Sequence, residues 1–340
     1  MTHTLAFEHP EPRGQRDRIL PVFLPFAGCP YRCVFCAQDR QTGRTADSLD
    51  AELRALKEML AEAHAAGRGP YELAFYGGTF TALPEPWPET FLELAARYRE
   101  RGLICAVRCS TRPDCVDGPM LARLRGLGLD TVELGIQSFD DKALAASGRC
   151  YDGETARRAC RTVAGADLGL GIQLLPGLPG DRPGVFQADV RTAATFSPAT
   201  ARLYPCLVIA GTRLARMYGR GEYEPWGMER ALLELSEGVL HLWRHGVRVI
   251  RIGLAPEGAL GRDLLAGPWH EALGQSVRGR ALLRFIRERL ASSPEPCARL
   301  RYHAAIRANC SVTQGSFVRN MRPSGSTAGP CAIMAATTSR

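Results

Sequence analysis

The 340-residue chain has almost no lysine: of its 43 basic residues, all but Lys57 and Lys142 are arginine. So lopsided a ratio reflects genome composition before selection for phosphate, and the net charge of +8 does not by itself name an acidic partner. Long apolar runs are also missing. None approaches the ~20 residues that cross a bilayer, which argues against a helical membrane protein. The opening stretch, MTHTLAFEHPEPRGQRDRIL, is polar and broken by proline, so it offers no charged-then-apolar leader. The expectation is a cytoplasmic protein. There the 12 cysteines do not read as a disulfide framework, because thiols stay reduced and a chain this long buries a full core without staples. Clustered cysteines then point to metal or catalysis.

The charge that is present is unevenly spread. Residues 275–340 carry 11 arginines against Glu288 and Glu295, whereas residues 1–274 are close to neutral. Within the basic part, RALLRFIRERLA (280–291) has the spacing of an amphipathic helix that aligns Arg280, Arg284 and Arg287 on one face, a candidate surface for RNA.

Seven short apolar runs alternate with amphipathic stretches: 19–26, 71–77, 103–109, 131–136, 169–175, 201–208 and 246–254. Helices are expected between them around 46–67, 85–102, 117–128, 152–166 and 229–245, several opened by Asp or Pro and closed by Gly. The alternation predicts an α/β fold, a parallel sheet covered by helices in an open (β/α)6 TIM-like barrel with a C-terminal helical extension. Such folds do their chemistry on the loops after the strands. The expected organisation is an arm over 1–16, a barrel core over 17–255, a basic extension over 256–310 and a disordered tail over 311–340, rich in Ser, Thr, Gly, Ala and Pro. No internal repeat is visible.

After the first run comes GCPYRCVFC (28–36), which places Cys29, Cys33 and Cys36 in C-x3-C-x2-C spacing. Structural zinc usually takes four protein ligands, and no His or further Cys lies nearby to complete that set. Cys105 and Cys109, four apart in a strand, are expected on one face as small buried hydrophobes. A 4Fe-4S cluster normally has four Cys ligands, so three leave one iron open.

This loop, with Phe35 just before its last cysteine, resembles that of the radical S-adenosylmethionine (SAM) superfamily. The resemblance implies one 4Fe-4S cluster on Cys29, Cys33 and Cys36, with SAM on the open iron. One electron then cleaves SAM to methionine and a 5′-deoxyadenosyl radical, and the protein supplies orientation and exclusion of water. It also implies an electron donor such as reduced ferredoxin or flavodoxin. FYGGTFT (75–81) is similar to the superfamily's glycine pair, implying that Gly77, Gly78 and Thr79 meet SAM, where only Gly lets a backbone approach so closely. ELGIQSFDD (133–141) resembles the segment whose Gln, here Gln137, touches the ribose. Arg149 stands at the spacing of an Arg that pairs with the SAM carboxylate. QLLPGLPGD (173–181) resembles the turn beside the adenosine, and Ser110, Gln173 and Pro205 are further candidates to line the site.

Within the superfamily, STRPDC (110–115) and RLYPCLVIAGTRLARMYGRGEYEPW (202–226) look most like the catalytic subunit of Elongator, which modifies tRNA, and more distantly like oxygen-independent coproporphyrinogen oxidase. The first likeness implies tRNA as substrate. The second implies a tetrapyrrole or other small molecule, or a haem-chaperone module without turnover. Too few residues follow 255 for the acetyltransferase domain of Elongator subunits. Cys150, where relatives often have His, is read as a packed thiol before a radical relay, and His270 as an ordinary loop histidine before an acid or base.

Overall fold

A computed structural model describes residues 8–13, 18–24, 26–38, 48–255, 260–291, 300–301 and 333–334. The expected N-terminal arm and C-terminal tail therefore lie largely outside the described residues. The exception in the tail is Ile333–Met334, paired in parallel with Leu300–Arg301.

All seven apolar runs form strands of one parallel sheet: β1 Arg18–Phe23, β2 Tyr71–Tyr76, β3 Ile104–Thr111, β4 Thr131–Gln137, β5 Gly169–Leu174, β6 Thr200–Leu203 and, after a short β7 at Val208–Ile209, β8 Arg248–Ile252. Their order is β1-β2-β3-β4-β5-β6-β8, so neighbours in sequence are neighbours in space and the barrel stays open between β1 and β8. Parallel pairing demands a crossover at each step, and helices supply them. These are α1 Leu49–Ala65, α2 Trp87–Glu100, α3 Gly118–Gly126, α4 Asp141–Ala146, α5 Gly153–Gly165, α6 Val185–Thr195, α7 Arg213–Gly219 and α8 Met228–Arg244. Side chains of Ser48, Asp117, Asp140, Asp152 and Thr212 accept hydrogen bonds from the first turns of α1, α3, α4, α5 and α7, the capping that fixes where each helix begins.

The helices bury their apolar faces on the outer side of the sheet, around Leu56, Leu60, Phe75, Phe91, Val132 and Ile172. The inner side is different. Alternate residues of the strands turn inward, and many are charged: Glu72, Arg108, Glu133, Arg202. Cys105 and Cys109 do not share an environment. The β2–β3 register shifts between Tyr71 and Glu72, whose partners Ile104 and Ala106 skip Cys105. Cys105 is exposed and Cys109 fully buried.

Beyond β8 and a single turn at Leu260–Asp263, a long helix, α9 Leu273–Ala291, starts earlier than the sequence pattern suggests and lies along α8. Val277, Ala281 and Phe285 join the main core. Its basic face is largely spent. Arg280 meets Glu229 at 3.2 Å, and Arg284 pairs with Glu237, both carboxylates on α8. The helix thus docks by burying apolar surface and matching charge to α8, and the expected row of three arginines is not an open phosphate-binding face. His270 is exposed. Its Nδ1 accepts from Ala272 N at 3.0 Å where the chain enters α9, so it acts on the local turn. Among the described residues no helix is long and apolar enough to cross a membrane.

Candidate active site

The loops at the carboxyl ends of the strands enclose a cavity of about 390 Å³. Cys29, Cys33 and Cys36 line it on one side, and Phe35, Gly77, Gly78, Ser110, Gln137, Arg149, Gln173 and Pro205 line it as well. The fold therefore gathers every residue expected to hold the cluster or SAM except Thr79, which is fully buried behind the wall with its Oγ1 3.2 Å from Cys29 Sγ. Thr79 supports a cysteine and does not face the cavity. Cys150 is exposed, with its nearest polar contact the Gly148 carbonyl, and is not part of the lining.

The cysteine loop is held from below. Gln38 Oε1 accepts from Phe26 N at 2.6 Å and from Gly78 N at 3.1 Å, tying both ends of the loop to the turn after β2. Gly78 has φ +51°, and a Cβ there would collide with the Ala27 carbonyl oxygen. Glycine is thus required because two backbones cross here. The Gly78 amide is already engaged by Gln38, a residue that sequence reasoning passed over.

Two guanidinium groups face Cys33. Arg149 Nη1 lies 3.2 Å from its Sγ, while Nη2 donates to Gly135 O at 2.5 Å and Nε to Tyr151 Oη at 2.9 Å. Nη2 also reaches Tyr151 Oη at 2.7 Å. Four of the five N–H bonds are engaged, so a two-pronged grip on a carboxylate would require one partner to be given up. Burial opposes the charge of Arg149, but Tyr151 and Cys33 outweigh it and push its pKa up. Arg112 lies 3.9 Å from the same sulfur, is buried, and is fixed by a two-pronged pair with Asp114 at 2.9 and 2.8 Å. STRPDC stood out for its resemblance alone; its chemical point is Arg112.

Burial raises the Cys29 thiol, and it raises Cys36 to about 12 with Cys33 and Cys29 adding to the effect. Metal-free, these groups resist ionisation, which a metal ligand must undergo. Among the described residues no three His, Cys, Asp or Glu side chains come together as ligands of a single metal ion. A cluster with several irons, each taking one thiolate, does not require such convergence. A fourth cavity cysteine, Cys206, is buried in a separate apolar patch with Val34, Leu178 and Tyr223, and burial lifts its thiol to about 12.

On the opposite wall the inward-facing strand residues form a chain of charges. Arg108 pairs with Glu72 at 2.5 Å, Glu133 accepts from Arg202 Nε at 2.7 Å and from Ser110 Oγ at 3.1 Å, and Arg202 also donates to Tyr204 Oη at 3.1 Å and to Tyr76 Oη. Buried charges survive only when paired in this way. Gln173 Nε2 is 3.5 Å from Gln137 Oε1. Gln137 itself has φ +67°, a left-handed backbone that a non-glycine residue adopts at a cost and that recurs at functional sites.

The Radical SAM superfamily model matches residues 23–191, and the Radical SAM C-terminal domain matches residues 198–281. A tRNA uridine(34) acetyltransferase from Methanocaldococcus infernus is 26% identical over 276 residues, covering 68% of this chain and 51% of that protein. Elongator complex protein 3 from Danio rerio is 30% identical over 204 residues, covering 53% of this chain and 36% of that protein. The chain thus spans about half or less of these relatives' length. Two solved structures share the fold. Archaeal Elp3 of M. infernus, lacking its N-terminus, superposes with a TM-score of 0.60 at 23% identity, covering 81% of this chain and 64% of that one. Coproporphyrinogen III oxidase from Escherichia coli gives 0.52 at 20%, covering 80% and 59%. The half-barrel, the three-cysteine loop inside it and the two family matches agree: this chain belongs to the radical SAM superfamily and is a radical SAM enzyme.

Proposed function

We propose that the chain modifies RNA, with tRNA the leading substrate, using a 4Fe-4S cluster on Cys29, Cys33 and Cys36 and SAM in the cavity beside it. The observation that carries the substrate is the similarity to tRNA uridine(34) acetyltransferases, which runs over two thirds of this chain. No step here invokes acetyl transfer. When bound, the cluster supplies the single electron that splits SAM reductively.

The chain's own residues do the rest. Arg149 and Arg112 bring positive charge to the Cys33 sulfur, an expected ligand of the cluster. Gln38, Gly78 and Thr79 fix the loop that would hold the cluster. Gln137 and Gln173, neutral and facing inward, suit a nucleoside's hydroxyls, and the glycine turn leaves room for an amino acid moiety. A soluble one-electron donor of the ferredoxin or flavodoxin type, and a cytoplasmic setting, belong to the same reading.

The test is mass spectrometry of total RNA from cells with and without the gene, paired with anaerobic assay of 5′-deoxyadenosine release from purified enzyme. Loss of one modified nucleoside and release stimulated by tRNA support the reading. Unchanged RNA with SAM cleavage intact sinks the RNA substrate. A small-molecule substrate is the second reading, and one observation favours it: Arg280 and Arg284 of α9 are already paired with Glu229 and Glu237 on α8.

A further inference from the structure

Arg202 and Arg251 are register partners on the adjacent strands β6 and β8, and both line the cavity. Like charges placed directly opposite one another repel unless an anion lies between or beside them. Arg202 has its anion, since Glu133 accepts from its Nε at 2.7 Å. Arg251 has none. Its hydrogen-bond partner is the carbonyl of Gly253, reached by Nε at 3.1 Å, and among the described residues no carboxylate comes within ion-pair distance of it. Among the described residues Glu133 is the one carboxylate in the cavity lining, and it is already shared by Arg202, by Ser110 and, more distantly, by Arg108 at 3.8 Å. The hydroxyl of Tyr204, which donates or accepts as needed, borders the same wall.

We propose that Arg251, with Tyr204 beside it, is an anion subsite that receives a phosphate or carboxylate of the substrate on the cavity wall formed by β6 and β8. Its guanidinium presents Nη1 and Nη2 as a fork whose geometry matches two oxygens of either group. The position separates this task from the cysteine loop: Arg149 and Arg112 serve Cys33, whereas Arg251 lies across the sheet on its edge strand. On the RNA reading, on which the choice of a nucleotide rests, the anion is the phosphate of the reacting nucleotide. On a small-molecule reading it is a carboxylate or phosphate of that molecule.

The subsite is tested without turnover, on full-length, anaerobically reconstituted protein. Broadening of the ³¹P signal of inorganic phosphate reports the anion site directly, acetate competition reports whether carboxylate shares it, and UMP compared with uridine reports the nucleotide. Wild-type protein is expected to broaden phosphate and to hold UMP about tenfold or more tighter than uridine. Arg251→Gln should abolish the broadening and bring UMP to within about twofold of uridine, Arg251→Lys should retain part of it, and SAM affinity should stay the same. Absence of phosphate binding by the wild type, or its persistence in Arg251→Gln, overturns the subsite. If phosphate binds through Arg251 but UMP binds no better than phosphate alone, the subsite stands and the RNA reading is what fails.

Discussion

Arg149 places Nη1 3.2 Å from Cys33 Sγ while its other nitrogens hold Gly135 O and Tyr151 Oη. One side chain therefore links the middle cysteine of the loop to β4 and to the segment just before α5. Arg149→Lys keeps the charge but loses the fork, leaving Gly135 O and Tyr151 Oη short of donors at a cost of ~1 to 3 kcal/mol. The expected outcome is a lower melting temperature and reduced iron retention after reconstitution. Had the arginine served a SAM carboxylate alone, iron content would stay at the wild-type value and only SAM affinity would fall. Iron assay beside SAM titration tells the two apart.

The cluster prediction is simpler. Wild-type protein reconstituted without oxygen should hold about four iron per chain, and Cys33→Ala should lose the cluster and SAM cleavage together while circular dichroism stays native. Recovery of a single zinc per chain, with no iron-dependent cleavage of SAM, is the contrary result.

The strands were readable in the sequence because parallel strands are buried on both faces and appear as apolar runs. The five helices predicted between the strands all form; α4, α6 and α7 were missed, α4 and α7 because six and seven residues are too few turns to show a stripe, and α6 because it opens at Gly184 with no capping side chain. The same habit of reading hid the site's polar half. Glu133 and Arg202 sit inside apolar strands, where alternation turns them inward, and only the closure of the sheet shows that they meet. Gln38 and Arg112 carried no pattern of their own. Their roles depend on the crossing of loops 40 or more residues apart, as with Gln38 and Gly78, which no local signal encodes.

Gly78 tests that crossing. Alanine there must hold φ near +51° and place its Cβ against the Ala27 carbonyl oxygen, so the cysteine loop has to shift. The backbone penalty alone is ~1 to 2 kcal/mol. Gly78→Ala is expected to fold with a lowered melting temperature and to retain less iron than wild type. Gly67→Ala, whose Cβ meets nothing within 4 Å, pays the backbone penalty without the collision and should retain full iron.

Asp189 gives a pH dependence of stability. It accepts from Ser138 Oγ and from Phe139 N, each at 2.7 Å, and so anchors the turn that follows Gln137. Burial outweighs those bonds and raises its pKa from 3.8 to about 7. A raised acid binds its proton more tightly folded than unfolded, so stability is greatest below the unfolded value and declines as pH rises from about 4 to about 7, at up to ~1.4 kcal/mol per unit. Asp189→Asn, which cannot ionise, should show a flatter stability profile across that window. Parallel urea titrations at pH 4.5, 5.5 and 6.5 read the difference, and identical slopes for the two proteins would refute the assignment.

The arginines of α9 decide whether this helix helps to bind RNA. Each phosphate contact adds ~0.7 to 0.9 to the slope of log affinity against log salt, so three free arginines on one face would contribute ~2. The structure instead has Arg280 on Glu229 and Arg284 on Glu237, exposed pairs of the kind worth ~0.2 to 1 kcal/mol. Changing Arg280 and Arg284 to Gln should therefore leave the salt slope of tRNA binding within ~0.5 of wild type, with a small loss of stability. Changing Glu229 and Glu237 to Gln frees both guanidinium groups and should steepen the slope by ~1 to 2, because the arginines then compete for phosphate. A slope that falls by ~1.5 or more in the arginine variant would mean that RNA already draws these side chains away from α8. The helix would then serve as a binding face after all.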